Sequence, residues 1–254
     1  MTHPLDGARA KVRRAGKHLR ELDAEVERFV KDHPYRFVPE PDEKTGLWVV
    51  RIYADAVDEQ PPLRLGVIVG DIAHDLRSAL DHVVCELALL NNSTCEETQF
   101  PLCFSPKAFG FEEKKRLAGL LPRHRAMIRR LQPYHRRQGG ELLAVLRSLS
   151  NADKHRVVNP ATQAMRYVPP TFEPRSAMLA AEVKYREAVR MEDGAEYLRF
   201  TKFVTRPGTE VQVKLDPTYQ IIFGEPGKYS ISPYSLRQLR DHIRNTVWRF
   251  AKEF

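Results

Sequence analysis

The sequence predicts an α+β chain that is mainly α: a helical bundle with an antiparallel β region set between the bundle helices and a C-terminal helix. Three observations carry this. Apolar residues recur at spacings of three and four over 5–30, 63–90 and 233–252, the period of a helix with one buried face. Pro160, Pro169, Pro170 and Pro174 then break that pattern, and beyond them apolar and polar residues alternate as they do in strands. Finally, 254 residues with 42% hydrophobic and 29% charged content can bury a core and are too apolar for a disordered chain. No apolar run approaches the roughly 20 residues of a membrane helix. The basic opening MTHPLDGARAKVRRAGKHL lacks the apolar stretch of a secretory signal. A cytoplasmic protein with no membrane partner is the expectation.

Taken in order, Leu5, Ala8, Val12, Ala15, Leu19, Leu22, Val26 and Phe29 form a narrow seam that predicts a long first helix, ended by Pro34. Residues 35–54 read as two short strands about Lys44-Thr45-Gly46, with Pro39 and Pro41 marking an edge. Pro61 and Pro62 introduce a second long helix, Leu63 to about Leu90, which Asn91-Asn92 stop. An irregular stretch over 91–105 precedes short helices near 106–119, 122–131 and 138–151, divided by Pro122 and by a turn around Pro133 and Gly139-Gly140. In the β region, 183–204 reads as a hairpin about Asp193-Gly194, with further strands at 211–216 and 219–225. The last helix, 233–252, places Leu236, Leu239, Ile243, Val247 and Phe250 on one face and is expected to dock on the bundle. The expected organisation is a bundle over 1–160 carrying the small hairpin, a β insertion over 161–231 and a C-terminal helix over 232–254, in one compact domain. Cys85, Cys95 and Cys103, odd in number and without C-x-x-C spacing, are expected as unpaired thiols.

Charge is unevenly spread. The net +8 of the chain equals the net charge of residues 106–137 alone, which follow a segment, 63–105, of net −4. Concentrated positive charge is what phosphate binding requires, and a solvated helix face is the competing explanation. Within the acidic segment, GDIAHDLRSALDHVVCEL (70–87) places Ile72, Ala73, Leu76, Ala79, Leu80, Val83, Val84 and Leu87 in one arc of about 140°. Asp71, His74, Asp75, Ser78, Asp81, His82 and Cys85 cluster on the other side, with Arg77 at the margin. Short acids and imidazoles suit a hydrogen-bonded network or a site better than they suit an ordinary solvent face of Lys and Glu. A polar seam against another helix would look the same. A second cluster, Asn151, Asp153, Lys154, His155 and Arg156, lies at the end of the helix near 138–151. His74, Asp75, Asp81 and His82, with Asp153 and His155, have the residue types of a metal centre, which keeps a His/Asp metal-binding bundle hydrolase as an alternative, but no H-E-x-x-H or E-x-x-H spacing, so neither metal nor cofactor is expected.

Arg77, four residues, then His82 resembles the R-x(4–6)-H signature of HEPN ribonucleases, helical-bundle proteins of bacterial toxin and phage-defence systems. The wider series GDIAHDLRSALDH, Phe100-Pro101, LQPYH (131–135) and NADKHR (151–156) is similar to a group of bacterial proteins with a HEPN-like core, and spans roughly 63–156. The resemblance implies a HEPN-like bundle and a homodimer whose protomers share the site. It also implies metal-independent RNA cleavage by 2′-OH attack, with His82 as general acid/base, Arg77 stabilising phosphate charge, and Ser78 and Asp81 beside them. Ser78 stands where the family usually has Asn, and inactive members that bind RNA, nucleotides or partner proteins leave a non-catalytic alternative open. An antitoxin or other protein partner is a further implication. On a single helix, Arg77 and His82 point about 140° apart and are offset by about 7.5 Å, so one copy does not bring them together. Arg123, Arg125, Arg129, Arg130, Arg136 and Arg137, with Tyr134 and His135 for stacking, are the expected RNA-binding surface. Removing Arg77 is expected to silence cleavage and spare the fold, unless the guanidinium is held in a structural pair with Asp81 at i+4.

Overall fold

The computed structural model describes residues 3–32, 35–54, 61–135, 139–153, 158, 160–164, 171–185, 193–208, 212–214, 219–225 and 229–254. The chain is α+β, with six α-helices and antiparallel strand pairs among the described residues. It divides into two compact units: Met1–Glu25, Pro62–Pro160 and Phe223–Phe254 form the first, and Val26–Pro61 and Ala161–Ile222 the second.

The first unit is helical. It contains most of α1 (Asp6–Asp32) and all of α2 (Leu63–Leu90), α3 (Pro106–Arg116), α4 (Pro122–Arg130), α5 (Gly140–Asp153) and α6 (Pro233–Phe250). The predicted apolar arc of α2 is fully buried from Ile72 to Leu87, and α2 packs against α5 and α6, which also pack on each other. Of the predicted α1 seam, Leu5, Ala8, Val12, Ala15, Leu19, Leu22 and Phe29 are buried and Val26 is half-buried. The five apolar residues read on the last helix are all buried. α3 is shorter than its sequence pattern: the Leu117 N–H caps it on the Glu113 carbonyl and the chain turns before Pro122. No helix among the described residues is long and apolar enough to cross a membrane.

The second unit is built on a four-stranded sheet in the order β1-β2-β6-β5, from β1 (Tyr35–Pro41), β2 (Trp48–Ala54), β5 (Met178–Tyr185) and β6 (Glu196–Thr205). Pro39 and Pro41 fall on the outer strand, where a missing N–H costs no ladder bond. The hairpin that the sequence groups with the helices thus shares a sheet with the later strands. In the same unit β4 (Thr171–Glu173) pairs with β7 (Gln212–Lys214); β3 (Pro160–Ala164), β8 (Tyr219–Glu225) and β9 (Tyr229–Ile231) form a three-stranded sheet in the order β3-β8-β9, of which β9 lies in the first unit. Val50, Ile52, Phe172, Tyr197, Leu198 and Phe200 make the core of this unit.

One expectation is corrected. Cys85 and Cys95 form a disulfide; Cys103 alone is a free, buried thiol. After α2 the chain reverses through Asn92, at φ 53°, and returns Cys95 to within 4.7 Å of Cys85, Cα to Cα. Spacing along a sequence says nothing of such a reversal.

Candidate functional site

The irregular segment 91–105 is held on α2 by side chains of the polar motif 70–87. The Arg77 guanidinium donates to the Phe100 carbonyl and pairs with Asp81 at 3.2 Å, while the Asp81 carboxylate accepts the Phe100 N–H at 2.8 Å. Both polar groups of one fully buried residue are thereby satisfied by one i,i+4 pair. Burial pushes the Arg77 guanidinium down and the Asp81 carboxyl up from their ordinary values, and each partner opposes the other's shift. Farther along, the buried Gln132 accepts the Cys103 N–H at 3.0 Å and donates to the Ile128 carbonyl at 3.1 Å. Gly140 lets α5 begin within 2.8–2.9 Å of the carbonyls of Gln132, Pro133 and His135, measured to the position a Cβ would take.

This clamp forms one wall of a cleft of about 650 Å³ between α2, α3 and α5. Four cations line it: Arg77, Lys107, Arg116 and Arg147. Ser105, Ser150 and Asn151 add polar groups, Glu112 one acid and the exposed Phe111 an aromatic ring. Arg116 donates to the Glu97 carbonyl at 3.2 Å and lies 3.6 Å from Glu112. Arg147 stacks over Phe104 at 4.6 Å, and among the described residues neither it nor Lys107 has a carboxylate partner. Two cations without a carboxylate partner among the described residues, in a concave site, suit an anionic ligand.

His82 is exposed and sits against α1, where a Cβ on Gly7 would lie 2.7 Å from its Nδ1. Arg77 instead faces the cleft, so one chain does not join the two. Compared with protein-family models, curated proteins and solved structures, the chain matches none. Its site must therefore be read from its own geometry.

Of the remaining expected residues, Ser78 is half-buried and Asn151 lines the cleft. Asp153 meets α2 at Gly70, where a Cβ would fall only 2.0 Å from its Oδ1; burial and Asp71 raise its carboxyl while His74 lowers it. The two polar motifs do converge there. Asp75 is buried against α1, with Lys11 at 3.0 Å, Arg14 at 3.7 Å and His18 at 3.8 Å. Among the described residues no group of three or more His, Cys, Asp or Glu is placed to hold a metal ion. In the basic segment, Arg123 pairs with Glu253 at 3.1 Å and Arg129 with Glu113 at 2.7 Å. Arg130 is exposed, Arg125 half-buried, and the Tyr134 and His135 rings lie 4.4 Å apart. Lys154, His155, Arg156, Arg136 and Arg137 lie outside the described residues.

Lys107, Arg116, Arg147, Phe104 and Phe111 were not singled out by sequence. The available signal was Arg147, a lone cation in the apolar run ELLAVLRSLS of α5.

Proposed function

We propose that the chain is a HEPN-like bundle protein that binds RNA through the cleft of α2, α3 and α5. The observation that carries this reading is the convergence of Arg77, Lys107, Arg116 and Arg147 around one concavity, since clustered cations gain affinity for phosphates by releasing counterions. The exposed Phe111 at the same site offers a ring face to an unpaired base. Lys107→Glu/Arg147→Glu is the test. The double variant should bind a single-stranded RNA at least tenfold more weakly, with the slope of log affinity against log salt reduced by about 1.4, as two lost phosphate contacts require, and with an unchanged unfolding midpoint. Equal affinity and slope would reject the cleft.

A second reading is endoribonuclease activity, favoured by the exposure of His82 on the protein surface. Because Arg77 and His82 of one chain face apart, cleavage needs a second copy to complete the site, as the resemblance implies. His82→Ala should then abolish cleavage of labelled RNA in EDTA while binding at the cleft persists. Absence of His82-dependent cleavage leaves the binding function alone.

A further inference from the structure

α1 has a charge pattern that its segment average conceals. Between residues 7 and 20 it carries Arg9, Lys11, Arg13, Arg14, Lys17 and Arg20 and no acid, whereas residues 1–62 together have a net charge of −1. α6 runs beside this stretch: Arg237 pairs with Asp23, and Arg240 passes 3.5 Å from the place of a Cβ on Gly16. Between the two helices lies a groove of about 230 Å³ lined by Arg9, Val12, Arg13, Arg244, Val247 and Trp248. It shares no residue with the cleft.

Val12 and Val247 are buried, but Trp248 is 60% exposed, with Lys252 placed 4.0 Å over its ring. Arg9 and Arg244 each have an acid on their own helix, Asp6 at 3.0 Å and Asp241 at 3.3 Å. Arg13 has none among the described residues. Trp248 thus leaves a large aromatic ring in water beside the arginines of the groove. A second copy docked about a two-fold axis would set these arginines against themselves, a repulsive arrangement. The volume is below the 300–1,000 Å³ of sites that hold whole drug-sized ligands, and suits one planar ring. Apolar floor, aromatic wall and cationic rim together fit a flat ring joined to an anion.

We propose that the α1–α6 groove binds a nucleotide, its base against Trp248 and its phosphate on Arg13, flanked by Arg9 and Arg244. Stacking on the indole and charge-assisted hydrogen bonds from guanidinium to phosphate supply the recognition. A free nucleotide and an unpaired nucleotide within a strand share this chemistry.

The test uses the Lys107→Glu/Arg147→Glu background, so that the cleft contributes nothing to the signal. Trp48→Phe then leaves Trp248 as the single tryptophan, and its fluorescence is titrated with AMP and, separately, with a five-nucleotide RNA. Saturable quenching is expected. Affinity for the RNA at least tenfold above that for AMP assigns the site to a strand, and comparable affinities assign it to free nucleotide. Arg13→Glu should raise the Kd of either at least tenfold. Equilibrium dialysis with tryptophan-intact protein and its Arg13→Glu variant repeats the measurement should Trp48→Phe fail to fold. The proposal is overturned if neither ligand binds at millimolar concentration or if Arg13→Glu binds as tightly as its parent. It is equally overturned if sedimentation shows a dimer that Trp248→Ala dissociates with nucleotide binding unaltered, which makes the groove an interface.

Discussion

Arg77 lines the cleft and at the same time clamps the fold. Its i,i+4 partner Asp81 and the Phe100 backbone occupy the guanidinium, whose side chain is only 17% exposed. Removing one member of a largely buried pair strands the other, so Arg77→Ala should cost about 3 kcal/mol of stability. Asp81→Asn should cost less, because the amide oxygen still accepts the Phe100 N–H. Denaturant unfolding measures both; a wild-type midpoint for Arg77→Ala would show that the clamp does not hold the segment. The pair with Asp81 is the exception attached to the sequence expectation that removing Arg77 spares the fold.

At the scale of elements, polar pairs fasten what the apolar pattern places. In the sheet unit the Asp42 carboxylate, in the turn after β1, accepts the Thr45 hydroxyl at 2.6 Å and Arg199 of β6 at 2.6 Å. The Thr45 hydrogen bond first, then Arg199, draws its pKa from 3.8 down to about 2. A carboxyl whose pKa is depressed by folding contributes stability that is complete above its ordinary pKa and is lost as pH falls through the folded value. The sheet unit should therefore lose stability between about pH 4 and about pH 2. Asp42→Asn should remove that part of the acid dependence, read from unfolding followed by Trp48 fluorescence in a Trp248→Phe background; an unaltered profile would refute the assignment. The helices themselves were legible from spacing, since burial of one face is what periodicity encodes. The pairing of β2 with β6 was not, because strands distant in sequence carry no mark of their neighbour.

For the whole chain, the +8 of residues 106–137 is an inventory and the structure distributes it. Arg123 and Arg129 are matched by Glu253 and Glu113, whereas Lys107 opens on the cleft without a carboxylate partner among the described residues. A cation already paired releases fewer counterions on meeting a phosphate. Arg125→Glu/Arg130→Glu should accordingly reduce RNA affinity and its salt dependence more than Arg123→Glu/Arg129→Glu does, a comparison that filter binding at several salt concentrations makes directly. Equal effects would return the segment to a uniform basic face.

The sequence by itself determined the helices, the edge strand with its two prolines and the places where polar motifs interrupt apolar ones, because each follows from local spacing and backbone preference. It also identified Asn151 and Arg77 as unusual. Only the tertiary structure decided that Arg77 clamps Phe100, that Cys85 meets Cys95, that His82 faces away from the cleft and that Arg147 of α5 joins Lys107 of α3. Those outcomes depend on which elements meet across long stretches of chain, and a polar residue's role is set by the partner it finds there.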